Sequence, residues 1–208
     1  MIRTAATALA ALTLASATAA FAQTPAPAGP PPAPTVVRGT VSALTENSMT
    51  VKTAKGPQVV ALAPAWTVAV MKPVAIDAIQ PGSFIGTAEM PAKDGSTGTS
   101  MEVHVFPPGV KRGEGHYAWD LKPGSMMTNG TVGTVVAGKK GSRELDVNYT
   151  YGKRHITVPA NVPVVQIAGG TREQVKVGAP VFMLVQKTPG GLTTSSVSVG
   201  ENGAKPPR

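Results

Sequence analysis

The sequence contains no cysteine, so no disulfide holds any part of it together. It also lacks the short motifs that mark common chemistries. There is no G-x-S-x-G elbow, no H-E-x-x-H, no phosphate-cradling P-loop and no G-x-G-x-x-G. These absences exclude no reaction outright, but they leave no residue set that specifies one. No enzymatic activity and no cofactor is expected. Helical periodicity is missing too: no window of helical length carries a sustained 3.6-residue apolar stripe. Histidine is sparse, with three widely spaced residues and no His-x-His or repeated Met-x-x-Met pattern.

The one long apolar stretch lies at the N-terminus. Arg3 precedes an Ala- and Leu-rich run from Ala5 to Ala20, and Ala20-Phe21-Ala22 fits the small-x-small rule for signal peptidase. The run is short for a membrane anchor and no stop-transfer pattern follows it. The expectation is therefore a signal peptide over residues 1–22, cleaved before Gln23, and a periplasmic, non-transmembrane protein. No cysteine follows the cleavage site, so a lipid-anchored N-terminus is not expected. Residues 23–35 hold Pro25, Pro27, Pro30, Pro31, Pro32 and Pro34. Proline fixes φ and donates no hydrogen bond, which makes this stretch an extended, semi-rigid spacer.

Beyond it the chain turns to short runs of Val and Thr broken by Gly, Pro, Asn and Asp, the chemistry of strands and turns. Met49 to Thr53 alternates apolar and polar. So does Thr99 to Phe106, where Met101, Val103 and Val105 share one face and Glu102 and His104 the other. Val74 to Ile79 suits one helical turn, ended by Pro81-Gly82. The pattern then recurs. Gly39-Thr40-Val41 answers Gly130-Thr131-Val132. From Val59-Val60 and His155-Ile156 onward, an offset of 96 matches Val68 with Val164, Ile79 with Val175, Gly82 with Gly178 and Val103 with Val199. The opening offset is 91, so the second unit carries five extra residues near Ala137 to Arg143.

The predicted fold class is all-β: two tandem small OB-like or Greek-key barrels, over residues 36–106 and 130–200. Strands are expected near 36–44, 49–53, 58–62, 67–71, 83–89 and 99–106, then 130–136, 144–149, 153–158, 162–167, 179–186 and 192–199. Closure would hide sheet edges that otherwise aggregate. A unit of ~70 residues has a marginal core, so the two should pack on each other. Residues 107–129 form an inter-repeat segment and 201–208 a disordered tail.

The framework RGTVSALTENSMTVKTAKGPQVVALAP followed by IQPGSFIGTAEM resembles an exported bacterial β-domain of unknown function that often occurs in tandem. The middle segment GEGHYAWDLKPGSMMTNGTV is similar to the link in two-repeat alphaproteobacterial members. The resemblance spans roughly residues 36 to 200. It implies an OB-like fold and a periplasmic address. Some relatives carry transport- or metal-related labels, but the family brings no ligand or catalytic residues with it.

Residues 107–129 concentrate the unusual side chains, including His116, Tyr117, Trp119 and Asp120. Long structureless loops in small domains are often functional. The structural reading makes Tyr117 and Trp119 a plug between the barrels; the functional one makes these residues a ligand or interface surface. The favoured function is a non-catalytic periplasmic binding or interaction module. The alternative is a copper-type accessory protein using His104, His116, Asp120, Met126 and Met127, since imidazole and thioether suit Cu(I). His104 and His155 read as solvent-facing strand histidines. Charge is uneven: residues 1–105 carry six Lys/Arg and five Asp/Glu (net +1), leaving thirteen and six (net +7) for the rest. The basic half points to an anionic cell-envelope component, not nucleic acid.

Overall fold

Twelve strands and three single 3₁₀ turns make up the described part of the chain in a computed structural model, which covers residues 35–93, 95–201 and 204–205. The expected signal peptide and nearly all of the spacer lie outside the described residues. The strands are β1 (Thr35–Leu44), β2 (Ser48–Thr53), β3 (Gly56–Pro73), β4 (Phe84–Pro91), β5 (Thr97–Val105) and β6 (Gly115–Ala118). They continue with β7 (Met126–Ala137), β8 (Arg143–Tyr149), β9 (Gly152–Val158), β10 (Val164–Gly170), β11 (Pro180–Thr188) and β12 (Gly191–Gly200). The all-β expectation holds. So does the helical turn, at Ile76–Ala78, with a counterpart at Arg172–Gln174.

The strands close into two rings, and the rings ignore the expected boundaries. In the first, β1 pairs with β2 and β11, β2 with β3, β11 with β12, and β3 closes against β12 in parallel. In the second, β7 pairs with β8 and β4, β8 with β9, β4 with β5, and β9 closes against β5 in parallel. Each ring therefore takes three strands from one half of the chain and two from the other. The expected contiguous barrels of residues 36–106 and 130–200 are replaced by an exchange of the last two strands of each unit.

The hinge of the exchange is β3. Two strands were expected, near 58–62 and 67–71; the structure has one of 18 residues. At ~3.3 Å per residue such a strand spans up to ~60 Å, enough to leave the first ring. Its first part pairs with β2 and its last part, Val68 to Pro73, with β10. Between them the ladder to β12 shifts register between Leu62 and Thr67, where Pro64 has no N–H to give. Arg172 covers the carbonyls left there, donating to Pro64 O at 2.9 Å and to Trp66 O, with its guanidinium 4.8 Å from the Trp66 ring centroid. In the β3–β10 ladder, Met71 faces Ile167, its own counterpart 96 residues on. The two halves are thus related about this pair as two subunits of a dimer would be.

Each ring has its own apolar core, drawn from both halves. The first gathers Val41, Met49, Val51 and Val60 with Val181, Met183 and Val197; the second gathers Ile85 and Val103 with Leu145, Val147 and Ile156. The 3₁₀ turns deliver matched plugs. Val175 enters the first core and Ile79 the second. The turn hydrogen bonds match as well: Gly82 N–H donates to Val132 O, and Gly178 N–H to Val41 O. Both glycines have positive φ, 83° and 89°, which a residue with a Cβ adopts poorly. A fully buried Val, Leu or Ile contributes about 1.5–3 kcal/mol over leaving it exposed, so neither half can keep its core without the other.

The C-terminal residues are not free throughout, as the disordered-tail expectation had it. Glu201 N–H donates to Met71 O, and Ala204 packs with Met71 and Val165. Among the described residues no helix is long and apolar enough to cross a membrane.

Candidate functional site

The inter-repeat segment is more ordered than a loop. Its β6 pairs with the start of β7, setting His116 opposite Thr128 and Tyr117 opposite Met127. Alternation along β6 then sends Tyr117 to one side and His116 to the other. Tyr117 and Trp119 are buried, at 8% and 9% exposure. They pack with Ala88 and Met127 of the second ring and Phe182 of the first, which makes them the plug between rings. The Trp119 and Phe182 ring centroids are 6.3 Å apart, and Arg38 lies over both rings. Asp120 is exposed and accepts from Arg38 at 2.6 Å. The Tyr117 hydroxyl accepts from Asn129 at 2.8 Å, and burial pushes it up to about 12.

His116 belongs to a different cluster, at the mouth of the second ring. Thr87 and Glu89 of β4, Thr128 of β7 and Arg154 of β9 are all buried there, with Glu89 fully so. Alternation explains it: Arg154 shares a face with Ile156 and Val158, and Glu89 with Ile85 and Thr87, both turned to the ring interior. Arg154 Nε donates to Glu89 Oε1, its Nη1 to Gly95 O and its Nη2 to Thr97 O at 2.9 Å. It thereby ties β9 to β4 and to the entry of β5. That seam is short, running only from Thr97–His155 to Thr99–Thr157. Gly98 is a glycine because a Cβ there would overlap the Glu89 carboxylate.

Thr128 Oγ1 donates to Glu89 Oε1 at 3.2 Å and lies 2.9 Å from His116 Nδ1. The hydroxyl has one hydrogen, and the carboxylate takes it. His116 Nδ1 is therefore the donor and Nε2 an acceptor with no partner among the described residues. Burial, with help from Arg154, lowers the His116 pKa to about 4, so the ring is neutral near pH 7. Burial also raises the Glu89 carboxyl, against the pull of Arg154. Glu89 Oε2 is buried without a hydrogen-bond partner among the described residues. Above these groups the His116 and Tyr149 rings stack at 6.3 Å and 21°, and Tyr149 meets Tyr151 edge-on at 5.3 Å.

The first ring serves as an internal control. Thr87 faces Thr128 across the β4–β7 ladder, and Met183 faces Val37 at the matching place. Arg154 faces Val147, where Gln58 faces Val51. Glu89 corresponds to Val185, Tyr149 to Thr53 and Tyr151 to Lys55. The same scaffold thus holds an apolar end in one ring, with Val37, Met183 and Val185 all buried, and a polar, aromatic end in the other.

The five residues considered for copper do not converge. His116 is bonded to Thr128, Asp120 is held by Arg38, and Met127 is buried in the inter-ring cluster. Met126, half-buried, faces Glu89 across the ladder and Ala118 on its other side. His104 is not solvent-facing as expected. It is 6% exposed, walled in with Glu102 by Val162, Pro163 and the C-terminal Ala204 and Lys205, and its Nε2 lies 3.5 Å from Glu102 Oε1. Burial lowers its pKa to about 4. Both groups line a cavity of about 460 Å³ walled by Pro73, Val74, Val162 and Val164. His155 is the strand histidine that does face solvent, between Asp146 and Glu144. Among the described residues no three His, Cys, Asp or Glu side chains are placed to hold a metal ion.

No family model, curated protein or solved structure matches this chain. Its function must therefore be argued from the two rings themselves. Glu89 and Arg154 escaped the sequence reading although a signal was there. A Glu and an Arg each stand on the apolar parity of a strand, beside Ile85 and beside Ile156.

Proposed function

We propose that this chain is an exported, periplasmic, non-catalytic binding module. Its two rings are OB-type barrels with exchanged strands, and its recognition surface is the mouth of the second ring. The OB assignment is supported by the ring order, first–second–third–fifth–fourth with a parallel third–fifth seam, and by the turn of helix before the fourth strand.

The observation that carries the reading is the difference between the two ring ends. A buried ion pair can often be replaced by apolar residues with no loss, or with a gain of about 1–4 kcal/mol. The first ring displays that apolar solution on the same scaffold. Stability alone does not call for Glu89, Arg154, Thr128 and His116 where Val185, Gln58 and Val37 would serve. The Arg154 latch helps to close a short seam, but it accounts for neither His116 nor the tyrosines above it.

The test grafts the first ring's residues into the second: Glu89→Val, Arg154→Gln and Thr128→Val together. Urea denaturation of the graft is expected to give a midpoint equal to or above that of the wild type. A loss of several kcal/mol would show that the polar set serves the fold, and the reading would fail. The seam cavity beside Glu102, His104 and Lys205 is the competing location for a ligand, because a cavity of that size with apolar walls and a few convergent polar groups is a common ligand-site form. Amide shifts on ligand titration tell the two apart. The mouth reading predicts them at residues 116, 149 and 151, the cavity reading at 74, 104 and 164. The basic second half favours an anionic envelope surface as the place where the module resides.

A further inference from the structure

The ligand class follows from what the mouth offers and what it withholds. Two of the chain's three tyrosines, Tyr149 and Tyr151, stand together at this mouth. Tyr149 lies against Tyr151, with ring centroids 5.3 Å apart. Tyr151 is 44% exposed, and the two rings meet at 72°, so they form an open corner instead of a closed stack.

Charge then narrows the choice. Glu89 and Arg154 cancel each other, and each of the three guanidinium nitrogens of Arg154 is already donating. Three of its five N–H groups are committed and the side chain is buried, so an anion at the mouth would meet no exposed guanidinium. A cation at the mouth would find Glu89 fully buried and already paired with Arg154. What remains is a neutral molecule with hydroxyl groups and an apolar face. Phenol rings carry a negative face that attracts the C–H face of a pyranose. The Nε2 of neutral His116 accepts from a hydroxyl, and the phenol groups both donate and accept.

Resting on the reading of this mouth as the recognition site, we infer that it binds a neutral saccharide. A pyranose ring would lie in the Tyr149–Tyr151 corner, with a hydroxyl directed to His116. The experiment titrates the full chain, isotope-labelled, with four separate probes: maltotriose, the trimer of N-acetylglucosamine, choline and inorganic phosphate. Tyr151→Ala and Tyr151→Trp accompany the wild type; Tyr151 is exposed enough for both to fold. The expected result is saturable binding of at least one trisaccharide, with amide shifts centred on residues 116, 149 and 151. Affinity should fall about tenfold in Tyr151→Ala and be kept in Tyr151→Trp. Binding of choline or phosphate at the mouth, with neither saccharide binding, would overturn the ligand class while leaving the mouth as the site. Saccharide binding untouched by Tyr151→Ala would overturn the placement. If no probe shifts the mouth residues, the inference and the function it rests on both fall.

Discussion

Glu89 and Arg154 are where single-residue energetics are sharpest. Each is taken out of water, and each is tolerable only because of the other. Glu89→Gln leaves the guanidinium buried without its counter-charge, and equilibrium denaturation should show a loss of about 3–5 kcal/mol. The triple graft removes both charges and should not. A Glu89→Gln variant as stable as the wild type would mean that the buried guanidinium does not depend on its counter-charge. The buried histidines set the acid limit. His104 and His116 have folded pKa values near 4 against about 6.5 when unfolded. A depressed histidine contributes stability that is complete above the unfolded value and is lost as pH falls toward the folded one. His104 therefore removes up to roughly 3 kcal/mol between pH 6.5 and 4, and the half-buried His116, which water screens, removes less. Glu89 works the other way: its raised pKa means that its burial is costly above the ordinary carboxyl range and less so in acid. Denaturation midpoints measured across pH 4–7 should fall on acidification, and His104→Gln should flatten that slope. An unchanged slope would place His104 in water.

At the scale of elements, β6 and the residues after it act as a wedge. Trp119 fills the groove between the rings, while Asp120 beside it sits in solvent. The two should differ widely when changed. Trp119→Ala opens a cavity and is expected to cost about 3–5 kcal/mol, whereas Asp120→Asn removes an exposed ion pair and should cost under about 1 kcal/mol. Urea curves for the two variants check this, and equal losses would contradict the wedge. The sequence shows why Trp119 was readable as a plug: a large aromatic in a short polar segment has to be covered. It also shows why His104 was misread. Glu102 and His104 alternate correctly against Val103 and Val105, but alternation reports only the two faces of a strand, not whether the second face is covered. The bulge at Met101 of β5, opposite the Ala88–Glu89 step of β4, also turns Met101 away from Val103, toward the inter-ring cluster. A register shift of this kind leaves no mark in an apolar–polar pattern.

At the scale of the whole molecule, most of the strands were legible, and their partners were not. Ile79 and Val175, or Gly82 and Gly178, announce matched roles 96 residues apart. Nothing in their identity says that each serves the ring begun by the other half. Two copies with the same alternation and the same turns offer closing strands of equal pattern in cis and in exchange. What tips the balance is the run from Gly56 to Pro73, which passes Pro64 without turning back and so delivers β4 and β5 to the other ring. The exchange has a direct consequence for the chain once cut. Lys111 and Arg112 are exposed between β5 and β6, so a single nick there leaves both rings built from both fragments. The two fragments, separated in denaturant, should each stay unfolded on dilution, and mixing them at equal concentration should restore the strand circular dichroism and a cooperative unfolding transition. Either fragment regaining a cooperative β fold by itself would contradict the interlocked rings.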